Sequence, residues 1–512
     1  MRVKMILPAL TEATSPLFRP IKYALFPPLG LASLAAHCHP DDEVTICDEH
    51  VEPLRLDDRP DLVVIQAYIT SARRAYEVAD HYRARGVRVA IGGLHPTSLP
   101  DEAAAHADHV FLGPGDDTWP QFLADLRAGT PASRYQSVRR TLVGAPPVRR
   151  DLIRRSRYLV PNSIVVTRGC PHSCDFCYRD AFFAGGRGFY TQPVDDALAE
   201  IHRLPGRHLY FLDDHLFGHR RFAAELFAGL RGTGRVWQAA ATVRSVLDGD
   251  LVERAAASGL RSLFVGFESM DGHNLAGHRK HHNLVERGRG HPGHVPAMPQ
   301  RADYERAIAR LHDLGVMVNA SFVFGMDGDG PDVFDRTVDW AVAQGIETAT
   351  FHILTPYPGT GLFDRMAPAG RIVHRDWDRY DTRHVVFQPA GMTPRQLQDG
   401  YWRAYERFYR WGSILRSARS KPSWQDTARH VAYAAGWKKF EPLWHLVIRA
   451  RRVPALRPVL ERVLDAATAD AGATADAGAT AGATAGAPAT ADAGAAPDND
   501  EGTTVAVRRL AG

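Results

Sequence analysis

Three cysteines stand within one short stretch of this chain, Cys170-Pro171-His172-Ser173-Cys174-Asp175-Phe176-Cys177. They are three of only five cysteines among 512 residues. The β-branched run at 163–167 comes just before them and predicts a buried strand, and Arg168-Gly169 predicts the turn that follows it. The cysteines are therefore expected in a loop at the carboxyl end of a strand, where α/β barrels place their chemistry.

Thiolates are the usual ligands of iron–sulfur clusters, and a [4Fe–4S] cluster normally takes four of them. A set of three leaves one iron free to bind another molecule. A zinc site fits less well, because it needs a fourth ligand that His172 could supply only awkwardly from inside the loop. A disulfide with one free thiol needs an oxidising compartment, whereas the amino-terminal stretch 1–8 predicts a first strand and is too short for a signal peptide. We therefore expect a cluster held by Cys170, Cys174 and Cys177.

The cysteine motif resembles that of the radical S-adenosylmethionine (SAM) superfamily, including the aromatic Phe176 before the last cysteine. In that family the open iron chelates the amino and carboxylate groups of SAM, and an electron from the cluster cleaves SAM to methionine and a 5′-deoxyadenosyl radical. The resemblance implies further SAM contacts at later strand ends. These are Asp213 and Asp214 for the amino group, Glu268 and Ser269 for the ribose and carboxylate, and Gly325 for the adenine.

Residues 1–135 alternate short strands with helical stretches, which predicts a Rossmann- or flavodoxin-like domain with a parallel sheet covered on both faces. The candidate strands are 3–7, 44–47, 62–66, 87–91 and 109–112. Ligands of such sheets bind outside the carboxyl ends of the strands.

Glycine-rich turns at 27–30, 92–97 and 113–118 follow three of these strands and resemble the cobalamin-binding domain found ahead of many radical SAM cores. The third turn departs from the family's usual Gly-Glu-Gly-Glu, since it is Gly-Pro-Gly-Asp at 113–116. His50 follows the second strand rather than the first, so we expect a polar strand-end residue and not a cobalt ligand. The resemblance implies cobalamin contacts from Gly92, Gly93, His95, Gly113 and Gly115.

The later segments differ in character. Residues 161–375 contain six alternating strand and helix units, as in the partial, TIM-like (β/α)6 barrel of radical SAM enzymes, with strands at 163–167, 208–213, 235–243, 262–269, 317–325 and 348–356. Residues 136–160 form a predicted linker whose arginines we expect to be solvated. Residues 376–465 are predicted to be mostly helical, and the Ala/Thr/Gly repeats of 466–512 predict a disordered low-complexity tail. Six histidines at 273–294 lack regular ligand spacing and predict a mobile loop over the barrel mouth rather than a second metal site.

The composition is that of an ordinary globular protein, with 45% hydrophobic and 23% charged residues. A net charge of +4 gives little reason to expect nucleic acid as a partner. The sequence has no apolar run approaching the roughly 20 residues that span a bilayer. The expected compartment is the reducing cytoplasm, which also suits an oxygen-sensitive cluster.

The layout of residues 1–415 resembles class B, cobalamin-dependent radical SAM enzymes. The resemblance implies methylation of an unactivated carbon of a small-molecule or lipid-like substrate, through the 5′-deoxyadenosyl radical and methylcobalamin. It also implies a low-potential electron donor such as flavodoxin or ferredoxin. Two alternatives remain open: a cobalamin-dependent radical SAM cyclase or rearrangement enzyme without methyl transfer, and a non-catalytic cobalamin or iron–sulfur sensor.

Overall fold

The computed structural model describes residues 1–10, 24–283, 301–439, 446–448, 450 and 452–465. The described residues form two six-stranded parallel sheets and a group of carboxyl-terminal helices. The predicted tail at 466–512 and the histidines at 291 and 294 lie outside the described residues. In the described part of the chain, no helix is long and apolar enough to cross a membrane.

The first sheet contains the five strands predicted from the sequence, with ends that differ by at most one residue, and one more. Its strands are β1 Arg2–Leu7, β2 Glu43–Asp48, β3 Leu62–Gln66, β4 Arg88–Gly92, β5 His109–Leu112 and β6 Arg134–Gln136, in the order β2-β1-β3-β4-β5-β6. The strand order reverses between β1 and β3, so a crevice is expected outside their carboxyl ends.

Helices cover both faces of this sheet, as the alternating pattern predicts. They are α1 Leu29–Ala35, α2 Ala72–Ala84, α3 Leu94–Ser98, α4 Pro100–His106 and α5 Thr118–Ala128. On β3, Val63 and Ile65 enter one core whereas Leu62 and Val64 enter the other. Successive side chains of a strand point to opposite faces, so a continuous apolar run is what a sheet covered on both sides requires.

The predicted strand at 163–167 is divided between two sheets. β7 Ser163–Ile164 belongs to the second parallel sheet, whereas β8 Thr167–Gly169 pairs antiparallel with β9 Phe189–Thr191. Asp213 gives the physical reason, because its carboxylate accepts hydrogen bonds from the backbone N–H groups of Val166 (3.0 Å) and Thr167 (2.5 Å). The Asp213 side chain thus replaces the backbone partner that would continue the pairing of β7 with β10. The chain leaves the second sheet at this point.

The second sheet has the strands expected of the partial barrel. After β7 they are β10 His208–Phe211, β11 Val236–Thr242, β12 Leu260–Glu268, β13 Met317–Phe324 and β14 Thr348–Ile353, in the order β14-β13-β12-β11-β10-β7. The associated helices are α6 Arg179–Phe182, α7 Val194–Arg203, α8 Arg220–Leu230, α9 Val243–Leu247, α10 Leu251–Ala257, α11 Gly272–Gly277, α12 Arg301–Asp313, α13 Val333–Ala343 and α14 Gly361–Met366. The sheet and its helices share one large apolar core.

The carboxyl-terminal region is helical, as predicted, with α15 Pro394–Phe408, α16 Trp411–Ala418, α17 Trp424–Lys438 and α18 Arg457–Asp465. Arg429 in α17 is buried and donates to the carbonyl oxygens of Arg261 and Gly315, which lie near the amino-terminal ends of β12 and β13. Helix α17 therefore packs at the end of the barrel opposite to the cysteines, whereas Leu397 of α15 lies beside Gly325 at the carboxyl end of β13.

The segment at 137–160 is not simply a solvated linker. Arg140 is only 4% exposed, and its guanidinium donates to the carbonyl oxygens of Ser137 (2.8 Å), Phe183 (2.6 Å) and Ala184 (2.8 Å). The prediction of solvated arginines was wrong for this residue, because a guanidinium can be buried when several carbonyl oxygens accept its hydrogen bonds. The number of arginines in the segment does not show whether such acceptors are present.

Candidate functional site

A cavity of about 210 Å³ lies outside the carboxyl ends of the first sheet, at the reversal in strand order. We call it the glycine cavity. Backbone and apolar side chains of the first sheet line most of it. Residues from later in the chain line the rest: Val148, Arg150, Val165, Arg168, Phe182 and Glu200. Its first-sheet lining includes Leu29, Gly30, Leu34, Val64, Gln66, Gly92, Gly93, Phe111, Gly113, Gly115, Asp116 and Trp119.

Four of the five residues expected at the cobalamin site line this cavity: Gly92, Gly93, Gly113 and Gly115. At Gly93 the backbone φ is +114°, and a Cβ there would lie 2.6 Å from the carbonyl oxygen of Ala67. Only glycine fits such a position, because it lacks the Cβ and tolerates positive φ. The turn can therefore bring the backbone close to a large flat ligand.

His95, the fifth of those residues, requires a correction. Its ring is fully buried beside α4, with Nε2 2.9 Å from Glu102 and an edge contact to Tyr76. It is not among the residues that line the glycine cavity. Burial lowers the pKa of His95, against the opposing effect of Glu102. His50 is likewise buried and outside the cavity lining, with Nδ1 2.8 Å from Asp48.

Asp116, the acidic residue of the unusual third turn, connects the first sheet to the strand that leads to Cys170. Its carboxylate accepts a hydrogen bond from the buried Tyr190 hydroxyl on β9 (3.0 Å) and lies 3.7 Å from Nε of Arg168 on β8. The departure from the family's acidic pattern thus keeps one carboxylate at the boundary between the glycine cavity and the cysteines.

The stretch 170–177, which we call the cysteine loop, begins where β8 ends. Cys174 is buried, and Cys170 and Cys177 are half-buried. Burial raises the pKa of the Cys174 thiol to about 11 and that of Cys177 to about 12, and the neighbouring thiols contribute to both shifts. In the described part of the chain, no three His, Cys, Asp or Glu side chains are already gathered around a metal position.

The donor set nevertheless fits an iron–sulfur cluster. Three thiols on one loop are the ligand type that such clusters use. Cys170 helps to raise the pKa of both Cys174 and Cys177, and Cys174 helps to raise that of Cys177. The bound iron would stabilise the thiolate form that burial disfavours. His172 stacks against His282 instead, with ring centroids 3.9 Å apart, and burial lowers the pKa of His172 to about 4.

The two aspartates after β10 have different roles. Asp213 is only 3% exposed and serves the chain itself, since its Oδ1 also accepts from the Thr167 hydroxyl (2.6 Å). Its Oδ2 is buried and has no hydrogen-bond partner among the described residues, so the contact with SAM stays a prediction, and burial raises the pKa of Asp213 to about 7. Asp214 remains accessible to solvent and accepts a hydrogen bond from the Tyr178 hydroxyl at 2.6 Å. It can still accept from an ammonium group.

Glu268 and Lys280 form a buried ion pair at the carboxyl end of β12, and Ser321 donates to Glu268 at 3.1 Å. Glu268 has a φ of +62°, and the pairing with β13 shifts register beside it. Such strain in a residue other than glycine is typical of functional sites. The pair places one charge of each sign at the barrel mouth.

The remaining expected SAM residues are held by the chain in different ways. Ser269 is buried and its hydroxyl accepts from the Asp271 N–H at 3.1 Å, so it supports the start of α11. Gly325 has a φ of +96°, and a Cβ there would lie 2.7 Å from Leu397 Cδ2. Phe176 is half-buried, with its ring edge toward His278 at a centroid distance of 5.8 Å.

The histidine-rich segment is packed as far as residue 283. His278 and His282 are 5% and 7% exposed, and Asn283 donates to the carbonyl oxygens of Gly266 (2.9 Å) and Phe267 (3.0 Å). The prediction of a mobile loop was wrong for 273–283, because its polar side chains find partners on β12 and on the cysteine loop. The remaining part, 284–294, lies outside the described residues.

Asp175 was missed by the sequence reasoning. It is completely buried between His278 and Arg365. Burial raises the pKa of the Asp175 carboxyl, but the hydrogen bonds from His278 and Arg365 outweigh it and the net pKa is lowered. Only one signal was available in the sequence: an acidic residue between two cysteines that are otherwise surrounded by uncharged residues.

Comparison with known proteins agrees with this layout. The family model of the radical SAM superfamily matches residues 164–341, and that of the B12 binding domain matches residues 23–123. The chain is 28% identical over 410 residues to the bacteriochlorophyllide d C-12(1)-methyltransferase of Chlorobaculum tepidum, covering 77% of this chain and 85% of that protein. It is 25% identical over 370 residues to the hopanoid C-2 methylase of Rhodopseudomonas palustris, covering 69% and 66%.

Among solved structures, the radical SAM methyltransferase TsrM from Kitasatospora setae has the same fold, with a TM-score of 0.61 and 14% identity over 88% of this chain and 99% of that one. The fold and the site thus define a radical SAM enzyme with an amino-terminal B12-binding domain. More particularly, the chain is similar to methyltransferases that act on carbon, and its cofactors are a [4Fe–4S] cluster, SAM and cobalamin.

Proposed function

We propose that this protein transfers a methyl group to an unactivated carbon of a large, mostly apolar small molecule. One observation carries the proposal: the glycine cavity is bounded by Arg168, only two residues before Cys170. A corrin in that cavity and a cluster on the cysteine loop would therefore lie on either side of one enclosed space. Such adjacency is what a reaction that uses both cofactors on one substrate requires.

Particular residues would hold each group. Cys170, Cys174 and Cys177 would bind the cluster, and the glycine cavity would bind the corrin without a histidine ligand. Asp214 would accept the ammonium of SAM, while Glu268 and Lys280 would meet its ribose hydroxyls and carboxylate. When bound, these groups supply the electron that cleaves SAM and the methyl group that is transferred.

The chain's own residues bind and orient the cofactors and exclude water from the site. The Tyr178 hydroxyl fixes the Asp214 carboxylate at 2.6 Å, so that its accepting oxygen is oriented before SAM arrives. The apolar part of the glycine-cavity lining, including Leu34, Val64 and Phe111, would exclude water from that side once a ligand is bound. Exclusion of water matters because a carbon radical must meet its methyl donor and not a competing reactant.

The choice of carbon as acceptor follows from chemistry and from the relatives. A saturated carbon has no lone pair to attack the methyl group of SAM, so a radical route is needed. The names of the two relatives specify a chlorin macrocycle and a hopanoid, which are large polycyclic molecules. Tyr178 and Tyr357 lie within electrostatic reach of Cys177, and burial raises the pKa of both phenols, so that both rings would be neutral. The Tyr178 hydroxyl already donates to Asp214.

Two further features complete the proposal. The chemistry needs a low-potential electron donor, for which flavodoxin or ferredoxin is suitable. An oxygen-sensitive cluster also requires a reducing compartment, and we place the protein in the cytoplasm.

The test is anaerobic purification and cluster reconstitution with hydroxocobalamin, followed by assay with SAM carrying a labelled methyl group. We expect about four irons and one cobalt per chain, 5′-deoxyadenosine, and a product heavier by one CH2 that contains the label. The assay uses a chlorin and a hopanoid as candidate substrates. Product without added mass would instead indicate cyclisation, and cofactor binding without SAM cleavage would indicate a sensor.

A further inference from the structure

Asp175 is held on every side although it lies between two cysteines of the cysteine loop. Its Oδ1 is 2.8 Å from Nδ1 of His278, and its Oδ2 accepts from the guanidinium of Arg365. Its backbone N–H donates to the His278 carbonyl oxygen (3.2 Å), and its own carbonyl oxygen accepts from the Leu362 N–H (3.0 Å). The side chain has no exposed surface.

These partners come from distant parts of the barrel. The cysteine loop follows the edge strand β7, and Arg365 lies in α14, which follows the opposite edge strand β14. His278 comes after α11, next to β12, and precedes Lys280 by two residues. Asp175 therefore connects the loops of the two edge strands across the mouth of an open barrel, and links both to the segment that carries Lys280.

The two charges of this pair differ in exposure, because the Asp175 carboxylate is completely buried whereas the Arg365 side chain is 51% exposed. Buried charges interact more strongly than exposed ones, because little water or salt lies between them. The potential of an iron–sulfur cluster responds to nearby charge, hydrogen bonding and solvent exposure. A carboxylate next to Cys174 and a guanidinium bonded to it would thus act on the cluster in opposite directions.

We propose that Asp175 is a positioning residue that ties the cysteine loop to the far edge of the barrel, so that three thiols are presented together to the cluster. Its charge and that of Arg365 jointly set the cluster's reduction potential. The proposal rests on the proposed function, because it requires the cluster at Cys170, Cys174 and Cys177.

The central variant is Asp175→Asn, which keeps the size of the side chain and removes its charge. Groups that support metal ligands typically contribute about 10- to 100-fold to metal affinity, and we expect a loss of that order in resistance of the cluster to a chelator. The midpoint potential should shift to more positive values. Arg365→Met removes the opposite charge from the same pair, and its midpoint potential should shift to more negative values.

Asp180→Asn is the matched control, since Asp180 lies three residues after the cysteine loop, is 40% exposed and pairs with Arg179. All proteins are reconstituted as full chains, and the potential is read by electron paramagnetic resonance during a redox titration. Shifts of opposite sign in the two variants support the proposal, because a merely loosened loop would shift both in one direction.

The proposal is overturned if Asp175→Asn and Arg365→Met both behave like Asp180→Asn, or if both shift the potential in the same direction. If Asp175→Asn takes up no iron, positioning is supported and the sign of the Arg365→Met shift decides the role of charge. A wild-type chain without iron would overturn the proposed function, whereas a loaded wild type with unaffected variants overturns this inference alone.

Discussion

The two ligand-binding edges of this protein are built in opposite ways. The glycine cavity of the first sheet is formed by what is absent, since Gly92, Gly93, Gly113 and Gly115 leave room beside the backbone. The mouth of the barrel is formed by what is present, with buried charges paired across the fold, as in Glu268 with Lys280. Both edges are the carboxyl ends of six-stranded parallel sheets.

The difference follows from the ligands that each edge would take. A corrin is large and flat, so close approach of the backbone matters most, and glycine provides it locally. SAM and a cluster are small and charged, so they need charges held in a poorly solvated place, and a buried charge must have a partner. Substitutions at one edge should therefore impair ligand binding at that edge and leave ligand binding at the other edge unchanged.

The largest expected effect comes from Cys174→Ala. With one of three ligands removed, the chain should bind no [4Fe–4S] cluster and cleave no SAM, while cobalamin binding to the glycine cavity is retained. Iron and cobalt analysis after reconstitution measures both sites in one sample. Cys38→Ala is the control, because that half-buried thiol packs against the core of the first domain. Full iron content in Cys174→Ala would falsify the cluster assignment.

The next effect concerns the buried charge pair at the barrel mouth. Lys280→Met leaves Glu268, which is 11% exposed, without its cation, and removal of one partner of a buried pair typically costs about 3–5 kcal/mol. Urea unfolding of the protein without cofactors should show that loss. The double variant Glu268→Gln with Lys280→Met should regain most of the stability but not SAM binding, measured by equilibrium dialysis.

Arg336→Met provides the matched control for that pair, because Arg336 and Asp332 are 69% and 66% exposed. Exposed ion pairs contribute little, so this variant should unfold almost like the wild type. Equal effects of the two substitutions would show that the Glu268–Lys280 pair is not the buried element we describe.

A smaller effect is expected when the glycine cavity is filled. In Gly115→Val the Cβ would lie 2.9 Å from Cδ2 of Leu34, a flexible side-chain end, so the backbone can remain in place. Overpacking of this kind costs about 1–3 kcal/mol, which would correspond to a loss of about 5- to 150-fold in cobalamin affinity. Iron uptake should not change. Gly412→Val is the control, since nothing lies within 4 Å of a Cβ at that position. Equal cobalamin affinities in the two variants would contradict the assignment of the glycine cavity as the cobalamin site.

The last expected effect is a pH dependence. Burial raises the pKa of Asp213 from 3.8 to about 7, so the folded chain binds a proton that the unfolded chain lacks between those values. Wild-type stability should therefore fall as the pH rises through this window, by up to about 1.4 kcal/mol per pH unit. Asp213→Asn cannot titrate, and its stability relative to the wild type should increase from pH 5 to pH 8. A stability difference between Asp213→Asn and the wild type that is constant with pH would contradict the raised pKa of Asp213.

Sequence reasoning was most successful where the information is local. The strands of both sheets follow from apolar runs and turn residues, and β3 and β5 have the predicted ends. Gly93 could be recognised because its turn requires a backbone conformation that other residues rarely adopt. The cysteine spacing likewise needs no information from the rest of the chain.

The tertiary structure decided how polar side chains are used. Asp213 and Asp214 are adjacent and identical in type, yet one holds the strand at Val166 and Thr167 while the other remains accessible. Asp175 is buried because His278 and Arg365, about 100 and 190 residues further along the chain, reach it from two other loops. Whether a carboxylate binds a ligand or stabilises the fold depends on which distant residues bury it and donate to it. Those residues come together only in the tertiary structure.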